Sequence, residues 1–361
     1  MADVVRAARD IDHHVALPPS GLAVTASGAP LDTESVAAMA ECGAVVHRID
    51  MRRSLGRPAN PLAAVRLTAL ARRIRPDVMH GHSSVGGALA RISGPRAHVP
   101  VVYTPNGLPA GLAAGGIERL LGRATAVFVA VSDSEADLAR RRRLVPSDRI
   151  RVIPNGIDLV APPPPSPPPD LRALLGLSPD VALVGTVARL VDQKAPAEFV
   201  AVMGEIIRRR PDVHGLLIGM GPLHGLVARA VAREGLAGRF HQIEHLARAD
   251  GVLDQLDVFV LASRFEGGPY APLEAMRAGV PVVLSDVVGN RDTVEAGRSG
   301  MLCAFGDADG MARAVIDLLG RDDRRAAMIE AAHARLRDRF DLVAMGRALS
   351  ELYRSLAGSG R

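Results

Sequence analysis

Short valine-rich runs recur along this chain, each separated from the next by a longer stretch of helical periodicity. In the first half the runs are HHVALP, AVVHRI, DVMH, PVVYT, AVFVAVS and IRVIP; in the second they are VALVGTVA, HGLLIG, DVFVLAS, VPVVLS and GMLCA. Runs this short, bounded by turn residues, suit strands covered on both faces. Segments between them, such as NPLAAVRLTALARRIRP, repeat apolar residues three and four apart and supply the crossover helices that parallel strands need. The pattern excludes all-helical and all-β folds and predicts doubly wound α/β sheets.

The alternation is interrupted once, by APPPPSPPPD at 161–170. Proline at that density continues neither a helix nor a central strand, so it reads as a semi-rigid connector. With 361 residues, more than a single core usually holds, the expectation is two domains. These are a first Rossmann-like domain over 1–160, a linker over 161–172 and a second domain over 173–340. The last amphipathic stretch, 341–358, has no strand after it and is expected to pack back on one of the two.

Composition removes several function classes. Hydrophobic residues make up 48%, so the chain is globular; aromatics are 3% and Trp is absent, which disfavours a stacking platform for single-stranded nucleic acid. The net charge of +5 is modest, and runs such as Arg140 to Arg143 fall at predicted helix ends, where cations favour the helix dipole. No nucleic-acid recognition motif accompanies them. Cys42 and Cys303 are too far apart to read as a disulfide framework or a zinc site. The N-terminus lacks a signal-peptide pattern, and no apolar run approaches the roughly 20 residues that span a bilayer. A cytoplasmic setting is expected, with peripheral contact to the anionic inner face of a membrane, on the strength of Arg66, Arg72, Arg73 and Arg75 along the helix expected at 61–75.

Ligands of open parallel sheets bind beyond the carboxyl ends of the strands. After VALVGTVA, which contains Gly185, stand Arg189 and Lys194, the one lysine of the chain. After HGLLIG stand Gly219, Gly221 and Pro222. After DVFVLAS stands RFEGGPYAPLEAM, with Glu266 and Glu274 separated by seven residues. Two cations beside glycine loops suit a diphosphate, and nearby carboxylates suit sugar hydroxyls. Gly267, Gly268 and Pro269 permit a tight turn into a helix whose first N–H groups form an anion and hydroxyl site. On spacing alone, a capping acid plus a solvated one explains the two glutamates equally well.

Taken together, RLVDQK, IGMGPL and FEGGPYAPLEAMRAGVPVV resemble the retaining, nucleotide-sugar-dependent glycosyltransferases of family 4. The earlier segments HGHSSVGGALAR, VVYTPNG, VAVSDSEADLA and VIPNGID agree in order and spacing. The resemblance runs from about residue 10 to the C-terminus and is greatest to bacterial enzymes of cell-surface polysaccharide synthesis. It implies the GT-B fold, two Rossmann-like domains facing across a cleft. It also implies Arg189 and Lys194 on the donor diphosphate, Glu266 on the donor sugar and Glu274 on the ribose. Further implied donor contacts come from Gly268 to Ala271, including Tyr270, and from Leu273. The implied donor is a nucleotide-diphosphate sugar, UDP favoured over GDP, carrying a hexose or N-acetylhexosamine. The implied acceptor is lipid-linked or a glycan. No metal or other cofactor is implied, and front-face attack retains the anomeric configuration. The lysine then has a physical rationale, since an ammonium on a flexible stem is a movable point charge whereas arginine brings a planar fork.

Two departures stand out. The chain begins inside MADVVRAARDIDHHVALP, a helix followed by a run matching the family's second strand, so its first strand and glycine-rich turn are missing from this sequence. Asn106 stands where many members have His; it hydrogen-bonds but cannot shuttle a proton. His80, His82, Ser83 and Ser132 are expected on the acceptor side of the cleft, with plain structural roles as the alternative. His80 and His82 share a strand face but have no third metal ligand beside them. Two other functions fit the same motifs: glycosylation of a small natural product, and non-catalytic binding of a nucleotide sugar.

Overall fold

The computed structural model describes residues 2–19, 33–52, 59–108, 112–160, 167–246 and 249–358. The chain forms two units: one takes the described residues up to Gly156 together with those from Leu342 onward, and the other runs from Ile157 to Asp341. The division therefore falls ahead of the proline run, of which 161–166 lie outside the described residues. Leu171, within the expected linker, is fully buried in the second unit, where Asp170 caps the short helix Leu171–Leu174 through the Ala173 N–H.

In the first unit, β1 (His14–Leu17) pairs in parallel with β2 (Val45–Arg48). A separate parallel sheet holds β3 (Met79–His82), β4 (Val101–Thr104), β5 (Val127–Ala130) and β6 (Ile150–Val152) in chain order. Every residue of β4 and β5 is buried, as expected for strands covered on both faces. One cover is the C-terminal helix Leu342–Gly358, whose Leu342, Met345, Leu349 and Tyr353 pack on Val102, Val127, Val129 and Ile153. The arginine-bearing helix spans Ala59–Ile74, and Arg75 follows it with φ 51°, ending the helix one residue earlier than expected.

The second unit is one parallel sheet of six strands: β7 (Ala182–Val187), β8 (Val213–Ile218), β9 (Phe240–Ile243), β10 (Val258–Leu261), β11 (Val282–Ser285) and β12 (Met301–Cys303). Their order is β12-β11-β10-β7-β8-β9, so the winding reverses between β7 and β10. Neighbouring residues feed opposite cores, Leu183, Leu216, Phe259 and Val282 on one side and Val184, Leu217, Val260 and Val283 on the other. Every valine-rich run became a strand. The strand that patterning does not mark is β9, sequence Phe-His-Gln-Ile, an edge strand whose residues are all half-exposed and need little apolar character.

Candidate functional site

In sheets of this winding the crevice beyond the strands' carboxyl ends, at the reversal, is where ligands bind. Here the loops after β7, β10 and β11 meet on one residue, Glu266. Lys194 closes the turn Asp192–Lys194 that precedes helix Pro196–Arg209, and its Nζ lies 2.7 Å from Glu266 Oε1. The side chains are 16% and 5% exposed, so the pair is shielded and each charge depends on the other. Gln193 adds to the hold. Its Nε2 donates to the Phe265 carbonyl (3.2 Å) and reaches Glu266 Oε2 (3.4 Å), while its own carbonyl accepts from the Arg264 N–H (2.9 Å). From the other side the Glu266 N–H donates to the Val288 carbonyl at 3.0 Å. Gly289, at φ 87°, sits so close behind that a Cβ there would fall 2.7 Å from the Gly267 carbonyl oxygen and 2.9 Å from Glu266 Cβ.

The loop after β8 is laced to the turn after β7. The Leu190 N–H donates to the Met220 carbonyl and the Leu223 N–H to the Leu190 carbonyl, each at 3.0 Å. Gly221 permits this approach, because a Cβ there would stand 2.5 Å from the Leu190 carbonyl oxygen. Gly219 takes φ 149° just past β8, and Pro222 is exposed in the following turn. Arg189 is partly exposed, and no carboxylate pairs with it among the described residues. Gly185 lies inside β7, where a Cβ would meet the Leu256 side chain at 2.6 Å; what its missing side chain serves there is close packing.

Behind Glu266, helix Tyr270–Arg277 starts from Pro269 in extended conformation. Pro269 and Pro272 have no N–H to leave unpaired, so in this first turn a backbone donor without an intrahelical acceptor comes from Ala271. Ala271 and Leu273 are buried, Glu274 is half-buried one turn in, and Gly267 is buried beside half-buried Gly268. The helix thus aims its positive dipole end at the loops that hold Lys194 and Glu266.

The first-unit candidates occupy a different setting. His80 is engaged at both nitrogens, Nδ1 with the Tyr353 hydroxyl (2.6 Å) and Nε2 with Thr104 Oγ1 (2.8 Å), so it ties β3 to β4 and to the C-terminal helix. Burial pushes its pKa down to about 3, and burial also lowers that of His82, whose ring centroid lies 4.0 Å away. Ser83, exposed with φ 58°, opens helix Ser83–Ala97. Asn106 is exposed in the left-handed region at φ 55°, a conformation Asn adopts more readily than most residues. That backbone preference gives a local reason for Asn at the position. Ser132 caps helix Asp133–Arg141 by accepting from the Glu135 N–H. Fully buried Glu135, unmarked in the sequence reading, accepts from the Gly107 N–H (2.7 Å) and the Val131 N–H (2.9 Å) and so fixes the loop carrying Asn106. The S-x-x-E spacing at 132–135 was its signal.

Two family models match the chain in tandem: "Glycosyltransferase Family 4" over residues 4–161 and "Glycosyl transferases group 1" over 179–321. The 2-deoxystreptamine N-acetyl-D-glucosaminyltransferase of Streptomyces fradiae is 31% identical across 82% of this chain and 76% of its own length. The chain belongs to glycosyltransferase family 4. This family 4 transferase is also 29% identical to the UDP-Gal:alpha-D-GlcNAc-diphosphoundecaprenol alpha-1,3-galactosyltransferase of Escherichia coli, over 70% of this chain and 68% of that one. Among solved structures it matches Anabaena Alr3699/HepE, crystallised with UDP and glucose, with a TM-score of 0.81 at 20% identity over 98% and 94% of the two chains. It matches the sucrose-phosphate synthase of Thermosynechococcus elongatus with a TM-score of 0.77 at 19% identity over 96% and 100%. The fold is GT-B, and the protein is a hexosyltransferase.

Proposed function

We propose that this transferase moves a hexose or N-acetylhexosamine from a nucleotide sugar to a lipid-linked or glycan acceptor of bacterial cell-surface polysaccharide synthesis, with retention of anomeric configuration. The observation that carries the reading is the pairing of Lys194, on the loop after β7, with Glu266, on the loop that leads into the helix start at Tyr270, at the winding reversal of the second unit. A diphosphate fits between cations and a helix N-terminus, and a buried carboxylate beside it fits sugar hydroxyls.

In the proposed step the bond from the anomeric carbon to the diphosphate oxygen breaks, and a bond from that carbon to the acceptor oxygen forms on the same face. The acceptor's proton passes to the departing diphosphate. Arg189, Lys194 and the helix dipole meet the growing negative charge, with no resident metal assigned to that role. Glu274 holds the ribose, and UDP is the proposed nucleotide, in keeping with the donor named for the Escherichia coli relative. The Streptomyces fradiae relative, named for an aminocyclitol acceptor, favours a second reading in which the acceptor is a small natural product.

The test is transfer from a panel of UDP- and GDP-sugars to a diphosphoundecaprenol-linked sugar and to an aminocyclitol. Lys194→Ala and Glu266→Ala are expected to lower turnover about 10²- to 10³-fold with the fold retained. Chelator is expected to leave the rate unchanged. Wild-type turnover in either variant removes the assignment, and a strong loss with chelator restored by a divalent ion removes the metal-free mechanism.

A further inference from the structure

The loop after β11 is closed on itself by a buried amide. Asn290 opens the short helix Asn290–Thr293, and its Nδ2 donates to the Ser285 carbonyl (3.0 Å) and to Ser285 Oγ (3.1 Å). The last residue of β11 is thereby clasped to the first residue of that helix. Ser285 Oγ in turn donates to the Ser263 carbonyl just past β10, at 2.6 Å against 3.4 Å to the Leu261 carbonyl. Ser263, Ser285 and Asn290 are all fully buried. Carbonyls only accept, so the amide faces Ser285 with its nitrogen and the hydroxyl gives its proton to Ser263. Asn290 Oδ1 is buried and meets no protein donor among the described residues. What this side chain adds to the protein's own bonding is therefore the two bonds from Nδ2.

The loop is held at both ends. The Asp286 N–H donates to the Cys303 carbonyl of β12 (2.6 Å), and Arg335 of helix Asp322–Arg339 donates to the Thr293 carbonyl (2.8 Å). Between these anchors lie the residues that meet Glu266. Val288 accepts the Glu266 N–H at 3.0 Å, and Gly289 leaves no room for a Cβ behind it. Asn290 comes directly after them, and none of its hydrogen bonds goes to Glu266. Its influence on the carboxylate runs through the loop.

We propose that Asn290, together with Ser285, is a positioning residue for glycosyl transfer. The clasp sets the path of Val288 and Gly289, and so the place where the Glu266 carboxylate stands against Lys194 and the donor sugar. The sugar's part in this rests on the proposed nucleotide-sugar site; the setting of Glu266 against Lys194 does not. Buried hydrogen bonds hold geometry tightly, because the alternative is an unpaired carbonyl in a dry interior. A carboxylate that has to meet particular hydroxyls loses its use when displaced by about an ångström. A side chain of similar volume without an N–H fills the space but cannot clasp, which separates positioning from packing.

Asn290→Leu tests this, alongside the milder Ser285→Ala, which keeps the carbonyl and loses only the relaying hydroxyl. The readouts are calorimetric affinity for UDP and for UDP-sugars, steady-state kinetics, and the coupling between Lys194 and Glu266. That coupling is measured by urea unfolding of Lys194→Ala, Glu266→Ala and the double variant, in the wild type and in the Ser285→Ala background. In Asn290→Leu, UDP affinity is expected to stay close to wild type, UDP-sugar affinity to fall about tenfold, and kcat to fall up to about 10²-fold. Ser285→Ala is expected to show smaller losses in the same order and a reduced Lys194–Glu266 coupling. Equal losses for UDP and UDP-sugar, or wild-type UDP-sugar affinity and turnover in Asn290→Leu, overturn the proposal. Should Asn290→Leu fail to fold, the same comparisons in Ser285→Ala decide. A folded wild type that binds no nucleotide removes the donor reading, and the coupling then decides alone: unchanged in Ser285→Ala it overturns the positioning role, and reduced it upholds it.

Discussion

Lys194 and Glu266 neutralise one another in a place with little water, and each is costly to leave alone. Removing either is expected to destabilise the protein by about 3 kcal/mol, and removing both by clearly less than the sum, because the double variant buries no orphan charge. Urea unfolding of Lys194→Ala, Glu266→Ala and the pair measures this; additive losses would deny the coupling. His80 makes a second prediction. Its folded pKa of about 3 lies below the ordinary value near 6.5, so the folded ring stays neutral while the unfolded one takes a proton. The stability this supplies is fully present above about pH 6.5 and is lost as pH falls from there toward 3, by up to about 1.4 kcal/mol per pH unit. In His80→Gln the decline measured by pH-dependent unfolding is expected to be shallower. At this scale the charged members of the site were legible, because a charge just past a buried strand has few structural uses. Gln193 was not: an uncharged amide beside a lysine carries no signal until the loop facing it is known. The partner of His80 was not legible either, since the Tyr353 hydroxyl that meets its ring lies 273 residues away in sequence.

Three turns that follow strands hold the candidate site, and they fit only because glycine lets them close. Gly289→Ala is expected to cost more than about 1 kcal/mol from its φ of 87° alone, and further because the new Cβ meets Gly267 and Glu266. Displacing Glu266 is expected to weaken donor binding as well. Gly235→Ala serves as the control: its φ is 68° and no atom lies within 4 Å of the added Cβ, so strain is paid without any change in nucleotide affinity. Thermal unfolding and nucleotide titration of the two variants separate the effects; equal affinities would show that Gly289 does not position the site. The loop around Val288 and Gly289 follows the run VPVVLS and obeys the same rule that located Lys194 and Glu266. It escaped notice because it has no charge to mark it. Elements with strong apolar patterning were readable, whereas β9 was not, since an edge strand is half in water.

Across the whole molecule, the α/β class and the two-unit organisation were visible in the repeated valine runs. The dividing point was not, because proline density marks where regular structure stops and not where one core gives way to the next. The fate of the last helix also needed the structure: Leu342–Gly358 completes the first unit although it follows the second in sequence. Leu349→Ala, at a 3% exposed position in that cover, is expected to destabilise the first unit by about 2–5 kcal/mol while nucleotide binding at the second unit persists. Calorimetry should show one transition lowered and the nucleotide-sensitive one unmoved; a shift of both together would mean the units unfold as one. The central claim concerns the second unit, and the most direct measurement is a calorimetric titration of UDP and UDP-sugars into the wild type and Lys194→Ala. Saturable binding by the wild type, lost in the variant while its unfolding remains cooperative, is the expected result. Binding that survives the loss of Lys194 unchanged, or its absence from a well-folded wild type, would contradict a nucleotide-sugar site at the winding reversal.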